Sequence, residues 1–132
     1  MLHSHDDWPD DVIKWLIEGC AAIKYTEMVP VEQYHRVYEG EAAIYRVSGD
    51  AQGIILTSIN KNCLYVEMLS GVGFIKHFFA IREQIMIIAR SVGLERISGF
   101  VQSTALARLY DRRTRAKRAA VLYVEELNNG RS

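Results

Sequence analysis

Two glycines ahead of a helical segment offer the first possible chemistry in this sequence. Gly71 and Gly73 precede a segment with helical periodicity, Phe78–Val92. Backbone N–H groups at the start of a helix attract phosphate, and glycines let a phosphate approach the backbone closely. Lys76 and His77 could add positive charge there. The spacing indicates either a phosphate site or a turn that leads into the helix.

A carboxylate, Glu67, stands inside a run that predicts a β-strand, Cys63–Leu69. Alternation predicts two opposite faces: Tyr65, Glu67 and Leu69 on one, and Leu64, Val66 and Met68 on the other. A charge that shares a face with a leucine marks either an edge position or a functional site. Glu67 is therefore a candidate base.

Basic residues are concentrated near the end of the chain, although the whole sequence is neutral, with 16 basic and 16 acidic residues. The cluster consists of Arg108, Arg112, Arg113, Arg115, Lys117 and Arg118. Such a segment can contact the phosphates of a ligand, an acidic partner surface or nucleic acid, or it can be a solvated face. We expect nucleic acid least, because few aromatic residues interrupt the charges.

Composition predicts one soluble, intracellular domain over residues 1–132, with residues 1–7 flexible and 128–132 a frayed tail. The chain is 49% hydrophobic and contains no run of about 18 apolar residues, so no membrane span is expected. We expect Cys20 and Cys63 to be buried free thiols, and we expect no metal site. The sequence leaves a homo-oligomer possible.

The elements that must position these residues follow from periodicity. We predict helices over Asp7–Lys24 and after Pro30, strands over Ala42–Ser48, Gly53–Ile59 and Cys63–Leu69, the helix Phe78–Val92, a strand over Leu94–Val101, a basic helix over Thr104–Arg113 and a strand over Ala119–Glu125. Short connections make the first three strands an antiparallel meander, and the long helix permits a parallel crossover. The fold class is therefore α+β, with a mixed sheet in the order α-α-β-β-β-α-β-α-β.

This order, with a glycine-bearing loop before a long central helix, resembles the GNAT N-acetyltransferase superfamily. Leu109-Tyr110 matches a Leu-Tyr pair that these enzymes often carry in a short helix near the end of the domain. Thr114-Arg115 stands where that helix usually ends in Gly-Phe. Met68 stands where the cofactor loop usually has Arg or Gln.

The resemblance implies an N-acyltransferase that moves an acetyl group from acetyl-CoA to an amine of a small molecule or protein. Tyr110 would be the acid that protonates the leaving thiolate, and Glu67 would be the base. The residues implied in binding the cofactor are Leu69, Ser70, Gly71, Val72, Gly73 and Phe74, and the basic cluster could contact the 3′-phosphate of CoA.

Short GNAT-like proteins of tailed phages and prophages are a variant that this chain also resembles, through Trp15-Leu16-Ile17-Glu18-Gly19 and Leu69-Ser70-Gly71. That likeness implies an alternative, a virion-associated or adaptor protein without catalysis that uses its basic segment to bind a partner or nucleic acid. Its place would be the cytoplasm or a phage particle. A third hypothesis is a nucleic-acid-binding regulator.

Overall fold

Two helices begin the described part of the chain. A computed structural model describes residues 8–24 and 26–99. Helix α1 covers Asp10–Ala22, and its two N-terminal aspartates lie at the positive end of the helix dipole. Helix α2 covers Pro30–Tyr38, where proline suits the first turn. Gly40, at φ +80°, takes the left-handed conformation that commonly ends a helix.

Four strands form one mixed sheet in the order β1-β2-β3-β4. In chain order the later elements are β1 Ala43–Val47, β2 Gln52–Asn60, β3 Cys63–Val72, helix α3 Phe78–Ser91 and β4 Arg96–Gly99. The first three strands are antiparallel neighbours, and β4 lies parallel to β3 across the α3 connection. The predicted α+β class with a mixed sheet is confirmed.

The sheet separates two apolar cores. On one face, α1 and α2 pack on a cluster that includes Ile54, Leu56 and Met68. On the other face, α3 packs on a cluster that includes Ile55 and Leu64. Adjacent β2 residues thus belong to opposite cores, and β2 is buried on both sides over most of its length.

A β-bulge at Glu67 reverses the phase of β3. Leu56 pairs with Met68 and Thr57 pairs with Val66, so Glu67 is the extra residue between these two pairs. Before the bulge, the even-numbered residues Leu64 and Val66 face α3; after it, Leu69 faces α3 and Met68 faces α1. The prediction that Leu69 shares a face with Tyr65, and Met68 with Leu64, is therefore wrong, because strict alternation fails across a bulge.

The boundaries of β3 and α3 bear on the predicted phosphate site. Strand β3 continues to Val72, so Ser70 and Gly71 belong to the strand and not to a loop. Helix α3 begins at Phe78 after a turn over residues 74–77. The predicted basic helix and last strand lie outside the described residues. None of the helices in residues 8–24 and 26–99 is long and apolar enough to cross a membrane.

Candidate functional site

The candidate base, Glu67 of β3, forms an ion pair with Arg36 of α2. Arg36 donates from Nη1 to Oε1 of Glu67 at 2.7 Å and from Nη2 to Oε2 at 2.8 Å. The same Nη1 donates to Oε1 of Gln33, also at 2.7 Å. The side chains of Arg36 and Glu67 are 31% and 12% exposed, so the pair lies mostly out of solvent. Two parallel bonds between a guanidinium and a carboxylate are a strong, directional contact.

The surroundings keep Glu67 ionised. Burial raises the pKa of this carboxyl, but hydrogen bonds from Arg36 and Ser58, together with the Arg36 charge, outweigh burial and lower the pKa below its ordinary value of 4.5. The hydrogen bond to Glu67 raises the pKa of Arg36. Each partner therefore stabilises the charged form of the other.

This arrangement limits what Glu67 can do as a base. A carboxylate offers about four lone-pair sites, of which Arg36 takes two and Ser58 a third. General-base catalysis is most effective when the pKa lies near the operating pH, and the pKa of Glu67 is shifted in the opposite direction. The predicted role of Glu67 as a base stays a prediction, while its observed role is to join α2 to the bulge.

The glycines of the predicted phosphate site serve the packing of the chain itself. Gly53 and Gly71 are cross-strand partners in β2 and β3. A Cβ added to Gly71 would overlap the Gln52 carbonyl oxygen and lie 2.7 Å from the Gly53 Cα. Gly73 has φ +82°, and a Cβ there would lie 3.2 Å from the Asp50 carbonyl oxygen. Neighbouring backbone thus leaves little room for a side chain at either position, which accounts for glycine at both.

The turn over residues 74–77 separates Gly73 from the first residue of α3. The His77 N–H donates to the Gly73 carbonyl oxygen at 3.0 Å, and the Phe78 N–H donates to Ile75 at 3.3 Å. Lys76 is exposed within this turn. No described side chain caps the start of α3. Four turn residues thus lie between Gly73 and the first residue of α3, and the phosphate site stays a prediction.

The side chains of the other residues implied in cofactor binding lie in different environments. Leu69 and Phe74 pack against the α3 core. Ser70 is buried, and its hydroxyl donates to the backbone carbonyl of Trp15 in α1. Val72 is exposed at the end of β3. The side chains of Leu69, Ser70 and Phe74 thus contribute to packing, and the predicted cofactor-binding role of these six residues stays a prediction.

The two cysteines have different surroundings. Cys20 is a buried free thiol, as predicted, and burial raises its pKa. Cys63 is also free, but it is half-buried, and its Sγ lies 3.0 Å from the Ser98 hydroxyl on β4. In residues 8–24 and 26–99, no group of three His, Cys, Asp or Glu side chains could hold a metal ion.

Two of the predicted functional features lie outside the described residues. These are Tyr110 and the basic cluster of Arg108, Arg112, Arg113, Arg115, Lys117 and Arg118.

The sequence reasoning missed Arg36 and Ser58 as partners of Glu67, and Gln33 as a second partner of Arg36. Gln33 is buried, and a buried amide is expected to have a partner, but this burial is known from the structure and not from the sequence. Arg36 is 31 positions from Glu67, and no local pattern indicates such a pair.

Comparison with known proteins adds no relative. Searches of this sequence against protein-family models, curated proteins and solved structures found no match.

Proposed function

We propose that this chain is a GNAT-like protein that acts by binding an acidic protein partner and does not transfer acyl groups. The observation that carries the proposal is the occupation of both Glu67 carboxylate oxygens by Arg36. The order of the described elements, with β3 and β4 parallel on either side of α3, supports the GNAT-like fold.

The chemistry of acyl transfer explains why this ion pair matters. An amine that attacks a thioester forms an N–C bond, and the C–S bond breaks with departure of a thiolate. A base must take a proton from the nitrogen, and an acid must supply one to the sulfur. For Glu67 to be that base, Arg36 would have to release it and leave a half-buried guanidinium without its carboxylate, which is unfavourable.

The glycine pair supports the same proposal. Substrate phosphates held at a helix N-terminus need N–H groups that an anion can approach. Gly71 packs against Gly53, and Gly73 packs against the backbone at Asp50. Both glycines are therefore explained by close packing of backbone, with no ligand required.

The basic cluster indicates the chemistry of the partner. Six cationic residues lie between Arg108 and Arg118, in a chain whose total charge is zero. A local positive segment attracts an acidic surface, and the attraction weakens as salt screens it. The resemblance to short phage proteins favours a partner inside a phage particle.

An N-acyltransferase that uses acetyl-CoA is the second candidate, and the bulge at Glu67 favours it. Bulges are over-represented beside active sites, where they redirect a side chain. This bulge directly follows the residues of β3 that pair with β4, Cys63–Val66. In this candidate Tyr110 protonates the departing thiolate, and an amine accepts the acetyl group.

Calorimetry and a turnover assay separate the two candidates. Acetyl-CoA at millimolar concentration is titrated into the protein, and release of the CoA thiol is followed with a panel of amines. The proposal predicts no saturable heat and no release above that of Tyr110→Phe. Saturable heat, with turnover that Tyr110→Phe lowers, would overturn the proposal in favour of the enzyme.

Binding to a poly-glutamate peptide tests the partner chemistry. The proposal predicts binding at low salt that weakens roughly tenfold or more in a variant with Arg112, Arg113 and Arg115 changed to Ala, because three of the cationic side chains are lost. A DNA duplex is the comparison ligand. Absence of peptide binding at low salt, or tighter binding of the duplex than of the peptide, contradicts an acidic protein partner.

A further inference from the structure

The outer face of α3 carries a stripe of apolar and charged side chains whose charges would match those of a second, antiparallel copy. Phe79 and Ile87 are each 50% exposed on this helix. Glu83 and Arg90 are exposed and Met86 is half-buried. Phe79, Glu83, Met86 and Arg90 follow one another at steps of four, three and four residues, which is the spacing of a continuous helix stripe.

The two charged side chains of this stripe, Glu83 and Arg90, are too far apart on one helix to form an ion pair with each other. Glu83 and Arg90 are seven positions apart, which is about 10 Å along a helix. Neither has an opposite charge three or four positions away, where helical ion pairs form. In residues 8–24 and 26–99, ion pairs join Arg36 to Glu67 and Arg46 to Asp11, and neither stripe residue takes part.

We propose that a second copy of this chain docks antiparallel along α3, with a twofold axis between Met86 and Ile87. Glu83 and Arg90 lie at equal distances on either side of that point. A twofold rotation therefore brings Glu83 of each copy beside Arg90 of the other, so that two equivalent ion pairs form. Met86 and Ile87 of both copies meet at the axis and bury apolar surface.

This assignment goes beyond the proposed function and stands on different residues. It explains why large apolar side chains alternate, on a face of α3 turned away from the sheet, with two charges that take part in neither ion pair found within residues 8–24 and 26–99. Alternation of an apolar centre with flanking charges fixes both the register and the antiparallel direction of a helix pair. A parallel arrangement would instead place like charges together.

Charge reversal and its rescue test the dimer. Sedimentation equilibrium of the full chain over a range of concentrations is compared for wild type, Glu83→Arg, Arg90→Glu and the double variant. We expect wild type to dimerise, each single variant to weaken dimerisation roughly tenfold or more, and the double variant to recover it. Each single change replaces two attractive contacts by two repulsive ones.

Matched controls keep the test specific. Glu18→Arg reverses an exposed charge on α1 and should leave dimerisation unchanged. Circular dichroism checks that every variant is folded. We expect all of them to fold, because the changed positions are exposed. The proposal is overturned by a wild-type monomer at all concentrations, by single variants that dimerise like wild type, or by a folded double variant that stays monomeric.

Discussion

Arg36 of α2 and Glu67 of β3 form a two-bond ion pair at the bulge where β3 changes phase. Before the bulge the even-numbered residues of β3 face the α3 core, and after it the odd-numbered residue Leu69 does. The ion pair holds α2 beside that change of phase. It therefore links the second helix to the strand that carries the candidate base.

Replacement of Glu67 should destabilise the fold. Glu67→Gln keeps the shape of the side chain but leaves the Arg36 guanidinium without its counter-charge. Removing one partner of a buried ion pair strongly destabilises a protein, and partial exposure of the pair reduces this effect. We therefore expect the free energy of unfolding to fall by about 1–3 kcal/mol. Urea denaturation followed by circular dichroism measures this loss.

The pair of Arg46 and Asp11 is the matched control for that experiment. Their side chains are 52% and 42% exposed, at an Nη2–Oδ2 distance of 2.8 Å. Exposed ion pairs contribute about 0–1 kcal/mol, so Asp11→Asn should be nearly neutral. An equal loss of unfolding free energy in the two variants would show that the Arg36–Glu67 pair stabilises the protein no more than an exposed ion pair does.

Stability should depend on the ionisation of Glu67. Because the pKa of this carboxyl is lower in the folded protein than its ordinary value of 4.5, the stabilisation is fully present above that value. It is lost as the pH falls through the lower pKa of the folded state. Urea denaturation of wild type and Glu67→Gln at several pH values should show a stability difference that is constant near neutrality and shrinks in acid. A difference that grows in acid contradicts this sign.

Substitution of Gly71 should disrupt pairing of β2 with β3. In Gly71→Ala the new methyl group meets the Gln52 carbonyl and the Gly53 Cα, and this backbone cannot move without disturbing the sheet. Overpacking of this kind costs about 1–3 kcal/mol or more. Thermal unfolding measures it, with Gln52→Ala at an exposed neighbour as the control. A Gly71→Ala protein as stable as wild type is incompatible with the close approach.

Gly19→Ala should weaken the contact of α1 with β3. A Cβ at Gly19 would overlap the Met68 Sδ and lie 2.8 Å from the Ser70 Cβ. We expect a loss of about 1–3 kcal/mol, of which a double variant with Met68→Ala recovers part, because the shorter side chain frees space. The interaction energy comes from urea denaturation of both single variants and the double variant. Strictly additive effects would place Gly19 away from Met68.

The elements of the described chain were predictable because their signals are local. Apolar residues recur with helical period in α1, and Gly40 and Gly93 end α2 and α3 with positive φ angles. Turns separate β1, β2 and β3 at the expected places. These features depend on residues that are neighbours in sequence.

The phase of β3 and the partner of Glu67 were not predictable in this way. The bulge depends on how β2 and β3 pair, so alternation within β3 alone misassigned Met68 and Leu69. The run from Leu64 to Leu69 does not alternate cleanly, which was a weak sign of an irregular strand. The role of Gly71 similarly depends on Gly53, from a different strand.

The pKa of Glu67 itself tests the central claim most directly. The side-chain carboxyl carbon of Glu67 can be titrated by carbon-detected NMR in wild type, with Glu67→Gln used to assign the signal. An ion held by Arg36 predicts a pKa below the ordinary value of 4.5, rising in Arg36→Met. A pKa at or above that value in wild type, moved towards neutrality as a general base requires, would contradict the account.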